Sequence, residues 1–225
     1  MRKTQLINNE IYHIYNRGID KRSIFSDDND RLRFVLNFLK YNDSEIDSGN
    51  NKNTAIDQIF QTKPYVHILA FCLMNNHFHF LVEQIQEGGI SNWIQKWCHG
   101  YSLYFNIKHG RSGSLFESRF KAEHVNSDEY LLQIMRYIHL NPLDYFDNKW
   151  RNDGIDSIEE SKKFLNEYQW SSYQNIKIDQ KYPIQIDLAL DKLSMTQEEL
   201  ETSMFDWAKK QNSLPVPGTG SRYRR

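Results

Sequence analysis

The chain has 225 residues, 39% of them hydrophobic and 25% charged, with a formal net charge of −1. That composition is ordinary for a globular protein and excludes disordered or fibrous chains. No apolar run approaches the roughly 18 residues needed to span a bilayer, and the first residues lack the apolar core and cleavage site of a signal peptide. A cytoplasmic protein with no membrane partner is expected.

Cys72 and Cys98 lie in separate apolar stretches and read as buried free thiols. A chain this close to neutral binds nucleic acid only through a local basic surface, because non-specific affinity comes from Lys and Arg neutralising phosphates.

In chain order, residues 11–18 are β-branched and aromatic and end on a glycine, which predicts a first strand. Residues 27–41 mix apolar and charged positions behind an acidic cap and predict an amphipathic helix. Residues 42–63 are polar and rich in turn formers, so an insertion is expected there. Two apolar runs, 65–73 and 77–83, flank Met74-Asn75-Asn76 and predict an antiparallel hairpin in which Asn supplies positive φ. A second helix follows at about 90–107, then a basic glycine-containing loop, a fourth strand over 115–125, and a third helix capped by Ser127 and stopped by Pro142.

Strand, helix, hairpin, helix, strand is the order of a ferredoxin-like split βαβ unit. The expected fold is therefore α+β, an antiparallel sheet with helices on one face. Residues 1–150 are expected to form the catalytic domain, and residues 151–225 a mainly helical extension with a basic tail at 221–225.

His77 and His79 alternate with Phe78 and Phe80 on the hairpin's second strand. Two residues along a strand return to the same face, roughly 7 Å on, so both imidazoles can approach one ion. Taken alone, such a pair on a half-exposed strand is more often two unliganded histidines; its place just after the hairpin turn, where an ion can be reached from solvent, favours the metal reading. A closed zinc site would need four ligands, usually with cysteine, and none are so spaced. An open site of two histidines plus an oxygen donor suits Mg²⁺ or Mn²⁺ acting on phosphate oxygens.

Tyr137 and Asn141 stand four residues apart, hence one above the other if the third helix runs through them. That would set a nucleophile beside a metal ligand, with Tyr101 and Tyr104 as rival nucleophiles; the spacing also fits a core tyrosine followed by a helix C-cap. Between Lys96 and His124, five basic residues (Lys96, Lys108, Arg111, Arg119, Lys121) stand against Glu117 and Glu123. Lys108, Arg111, Arg119 and Lys121 are the candidate DNA contacts.

Tyr12-His13-Ile14-Tyr15-Asn16-Arg17-Gly18, Met74-Asn75-Asn76-His77-Phe78-His79, Tyr101-Ser102-Leu103-Tyr104-Phe105-Asn106, the 113–121 segment Gly-Ser-Leu-Phe-Glu-Ser-Arg-Phe-Lys, Arg136-Tyr137-Ile138-His139-Leu140-Asn141-Pro142 and Trp170-Ser171-Ser172-Tyr173 follow one another in a set order. This series resembles the REP-associated tyrosine transposases, a branch of the single-tyrosine transposases among the HUH endonucleases. The resemblance implies single-stranded or hairpin DNA as partner, cleavage and strand transfer through a 5′-phosphotyrosine at Tyr137, and a divalent ion on His77, His79 and Asn141. It leaves monomer and homodimer open. The alternative is a non-catalytic protein that binds structured single-stranded nucleic acid.

Overall fold

The computed structural model describes residues 4–45, 63–176 and 182–209. Most of the expected polar insertion (46–62) and the basic tail (221–225) lie outside these residues. The described chain groups into two compact units. One holds the residues up to Ile68 with Asn75–His124, and the other holds Leu69–Met74 with the residues from Val125 onward. The expectation from sequence put a functional boundary after Trp150.

Strands β1 (Ile11–Arg17), β2 (Val66–Met74), β3 (His77–Gln84) and β4 (Lys121–Val125) form one antiparallel sheet in the order β2-β3-β1-β4. This is the ferredoxin-like order, and β1 and β3 pair in antiparallel register from Ile11 opposite Glu83 to Arg17 opposite His77. Helices α1 (Asp28–Lys40) and α2 (Gly89–Lys108) pack against each other in the first unit.

Alternation along β3 sends Phe78 and Phe80 toward these helices. Phe78 meets Phe34 at 5.5 Å and Trp97 at 5.4 Å, and Phe80 meets Phe38 at 4.9 Å and Trp93 at 5.2 Å between ring centroids. All six rings are fully buried. Edge-to-face packing of this kind adds to a transfer gain of several kcal/mol for each buried ring. It clamps the strand whose other face carries the histidines.

Capping follows the expected chemistry. The Asp27 side chain accepts from the Asp30 backbone amide at 2.9 Å to open α1. Ser127 accepts from the Tyr130 amide at 3.2 Å to open α3 (Asp128–Leu140).

Two local expectations fail. Asn75 and Asn76 are not among the positive-φ residues. The hairpin uses them for hydrogen bonds instead: Gly18 and Ile24 amides donate to the Asn76 and Asn75 carbonyls at 2.8 Å each, and the Asn76 side chain donates to the Lys21 carbonyl at 2.9 Å. Gly18 is required by this close packing, since a Cβ there would collide with the Arg22 carbonyl oxygen. The fourth strand is also shorter than expected. Residues 115–120 lie beside the end of β1 through single bonds, Ile19 to the Leu115 carbonyl and Glu117 to the Arg17 carbonyl (both 3.0 Å), and regular pairing starts only at Lys121.

In the second unit α3 packs against two later helices, Ile186–Leu193 and Gln197–Lys209. The Trp170–Tyr173 segment secures the end of β2: the Leu73 amide donates to the Trp170 carbonyl at 2.9 Å, and Ser172 Oγ accepts from the Phe71 amide at 2.8 Å. Cys72 is buried and Cys98 half-buried, both as free thiols. Among the described residues, no helix is long and apolar enough to cross a membrane.

Candidate active site

The first unit carries the histidines. His77 and His79 share a face of β3, their rings perpendicular with centroids 5.1 Å apart. His77 is half-buried and His79 is 5% exposed. His77 Nδ1 lies 2.7 Å from Asn76 Oδ1. His79 Nδ1 lies 2.9 Å from His13 Nε2, on the neighbouring strand, with the two rings stacked at 5.1 Å.

Tyr15, opposite His79 in the register, stacks on both imidazoles and donates its hydroxyl to Glu123 at 2.8 Å. Full burial lowers the His13 pKa to about 3, so this imidazole is neutral at physiological pH. One of its nitrogens then carries a proton and the other accepts.

The second unit carries the tyrosine. Tyr137 sits in the last turn of α3, and the Asn141 amide closes that turn on the Tyr137 carbonyl at 3.1 Å. Asn141 and Pro142 keep right-handed helical dihedrals, so Pro142 leads into the four-residue α4 (Leu143–Phe146) rather than ending the helical path.

Asn141 Oδ1 accepts from Arg151 Nη2 at 2.6 Å. Arg151, on the short α5 (Trp150–Asp153), forks onto Asp144 at 2.7 and 3.0 Å, and its guanidinium lies 5.2 Å above the Tyr137 ring centre. Trp150 Nε1 donates to the same Asp144 carboxylate at 2.8 Å. Tyr137 is 5% exposed, and burial pushes its pKa up to about 12. Arg151 and Asn141 pull it down, while the Asp144 charge opposes them.

The rival tyrosines are engaged elsewhere. The Tyr101 hydroxyl donates to the Ile24 carbonyl at 2.5 Å, and that of Tyr104 to Asp30 at 3.1 Å. His139 is wholly buried and its Nε2 lies 2.9 Å from Ser172 Oγ.

Of the candidate DNA contacts, Lys108 is tied to Asp27 and to buried Asp30 at 2.8 and 2.7 Å, which raises its pKa. It works as a strut between α1 and α2. Arg111 stacks over Phe105 at 5.5 Å, Lys121 lies over Tyr15 at 5.7 Å and faces Glu117 at 3.7 Å, and Arg119 is exposed.

Among the described residues, no three His, Cys, Asp or Glu side chains gather as a metal site. In the second unit, Asn141 Oδ1 keeps a second lone pair beyond the one Arg151 engages. Imidazole nitrogens and an amide oxygen are donor types that a divalent ion accepts. Sequence reading missed His13, Asp144 and Arg151. His13 left one trace, its alternation with Tyr15 on β1, whereas the other two left none.

Comparison with the curated proteins finds no match. A solved structure of a REP-associated tyrosine transposase bound to a REP hairpin is similar, at 11% identity and a TM-score of 0.49, covering 81% of this chain and 88% of that one. The family model described as "Transposase IS200 like" matches residues 7–141, more than half of the chain. The chain belongs to the IS200-like transposase family.

Proposed function

We propose that this transposase is a single-tyrosine DNA-cleaving and strand-transferring enzyme that acts on single-stranded, hairpin-forming DNA. The observation that carries the reading is the His77–His79 pair on one strand face, with His79 backed by a buried neutral imidazole. Metal-binding histidines characteristically use their second ring nitrogen in this way. With His79 Nδ1 set against His13, an ion would take Nε2.

His77 and His79 would hold a Mg²⁺ or Mn²⁺ ion with Asn141 Oδ1 as the third donor. When bound, such an ion would supply Lewis-acid polarisation of the scissile phosphate. Tyr137 Oη forms the new bond to phosphorus, and the 3′ oxygen leaves with the bonding pair. In net terms the tyrosine proton passes to that oxygen, giving a 5′-phosphotyrosine and a free 3′-hydroxyl. A second 3′-hydroxyl reverses the step and joins strands without external energy.

With its pKa near 12, the Tyr137 hydroxyl is overwhelmingly protonated at neutral pH. The nucleophile therefore depends on its surroundings for activation. Arg111, Arg119 and Lys121 supply the proposed DNA-facing charge, with exposed Arg119 the strongest candidate.

The burial of Tyr137 favours one rival, a binder of structured single strands in which this side chain is only core. Incubating the protein with hairpin oligonucleotides and Mg²⁺ or Mn²⁺, with and without chelator, separates the two. Metal-dependent nicking with protein retained on the 5′ end is expected. Hairpin binding with intact DNA would leave the binder standing.

A further inference from the structure

The surroundings of Tyr137 are more constrained than a core aromatic requires. Arg151 spends two nitrogens on the Asp144 carboxylate and shares one of them with Asn141 Oδ1, while its plane covers the Tyr137 ring. Asp144 is held in turn by Trp150 Nε1. Arg151 has only donors, so the Asn141 atom that meets it must be the carbonyl oxygen and the amide cannot be flipped. A planar fork makes these contacts at fixed angles while its face covers the ring; a lysine ammonium offers its three donors from a single point and has no plane to lay on the ring.

We propose that Arg151, braced by Asp144, is a positioning residue for strand cleavage, fixing the Asn141 amide and one face of Tyr137 so that oxygen donor and nucleophile keep a single geometry. The proposal rests on the single-tyrosine reading above. Arg151 acts through Asn141 and Tyr137. A displacement of about 1 Å at reacting groups can cost on the order of 100-fold in rate, which sets the expected effect.

The test uses the full chain as wild type, Arg151→Ala, Arg151→Lys and Asp144→Asn. In the metal-free proteins, the Asn141 side-chain amide should give one sharp pair of nitrogen-15-correlated signals in wild type and broadened or doubled signals in each variant. In single-turnover reactions with a hairpin oligonucleotide and Mn²⁺, Arg151→Ala should form the covalent adduct about 10- to 100-fold more slowly. Hairpin affinity should stay within about twofold and thermal unfolding should remain cooperative. Free guanidinium ion should restore part of the Arg151→Ala rate.

Unchanged Asn141 signals together with a wild-type rate would overturn the positioning role. So would a slow Arg151→Ala that guanidinium cannot restore and that Arg151→Lys fully repairs, because charge alone would then suffice. Absence of any adduct from wild type would overturn the single-tyrosine reading instead, and the Asn141 signals would still decide whether Arg151 holds that amide.

Discussion

The two units organise their chemical groups by different means. In the first, backbone register does the work: β1 and β3 are locked in antiparallel pairing, and His13, Tyr15, His77 and His79 face one another because the strands alternate. In the second, the backbone supplies only the last turn of α3. The setting of Tyr137 and Asn141 comes from an ion pair and its hydrogen bonds, contributed by Asp144 and Arg151 further along the chain. A strand-borne site should lose chemistry when a side chain is removed and keep its frame. A site held by side chains should also lose orientation.

The largest expected effect is on the helix side. Tyr137→Phe should lower strand cleavage at least 1,000-fold, about 4 kcal/mol of barrier, while hairpin affinity and melting temperature hold. Gel assays of nicking beside calorimetry check this, and cleavage by the phenylalanine variant would move the nucleophile elsewhere. On the strand side, His77→Ala and His79→Ala should each lower nicking by about 100-fold. His13→Phe, which removes the ring nitrogen behind His79 and keeps an aromatic ring beside Tyr15, should weaken Mn²⁺ binding about 10-fold in titrations of the DNA-free protein. Unaltered Mn²⁺ affinity in His13→Phe would mean that register alone sets the His79 ring.

Acid should expose both units, since each buries a neutral imidazole. The His139 pKa is lowered to about 4 by burial, so below pH 6.5 the unfolded chain takes up a proton that the folded chain refuses. Stability present above pH 6.5 is therefore lost as pH falls toward 4, by roughly 3 kcal/mol. Denaturant titrations of His139→Gln should show a flatter slope in this window, and an identical slope would assign the acid sensitivity elsewhere.

The smallest effect separates two lysine and arginine roles. Arg119→Ala should reduce the slope of log affinity against log salt by about 1. Lys108→Ala should leave that slope alone and lower the melting temperature, because Lys108 is engaged by Asp27 and Asp30.

Legibility in the sequence follows the same division. Period-two alternation revealed the hairpin, the shared face of His77 and His79, and the burial of Phe78 and Phe80, because a strand writes its faces directly into the chain. Local charge counting could not see the partners of Lys108, which lie 78 and 81 residues away and leave no local pattern. The turn at Asn75-Asn76 was found for the wrong reason. Asparagine's tolerance of positive φ is a local property, whereas the amides that bond to their two carbonyls come from Gly18 and Ile24. Asp144 and Arg151 were invisible because they straddle a break between two short helices, where no periodicity survives. A resemblance in ordered blocks selected Tyr137 over Tyr101 and Tyr104, and spacing alone did not.

The central claim, that Tyr137 takes the DNA strand onto itself, is tested most directly by proteolysis and mass spectrometry after incubation with a hairpin oligonucleotide and Mn²⁺. The account predicts a nucleotide adduct on the peptide containing Tyr137, lost in chelator. An adduct on Tyr101 or Tyr104, or cleaved DNA with no adduct on any tyrosine, would contradict it.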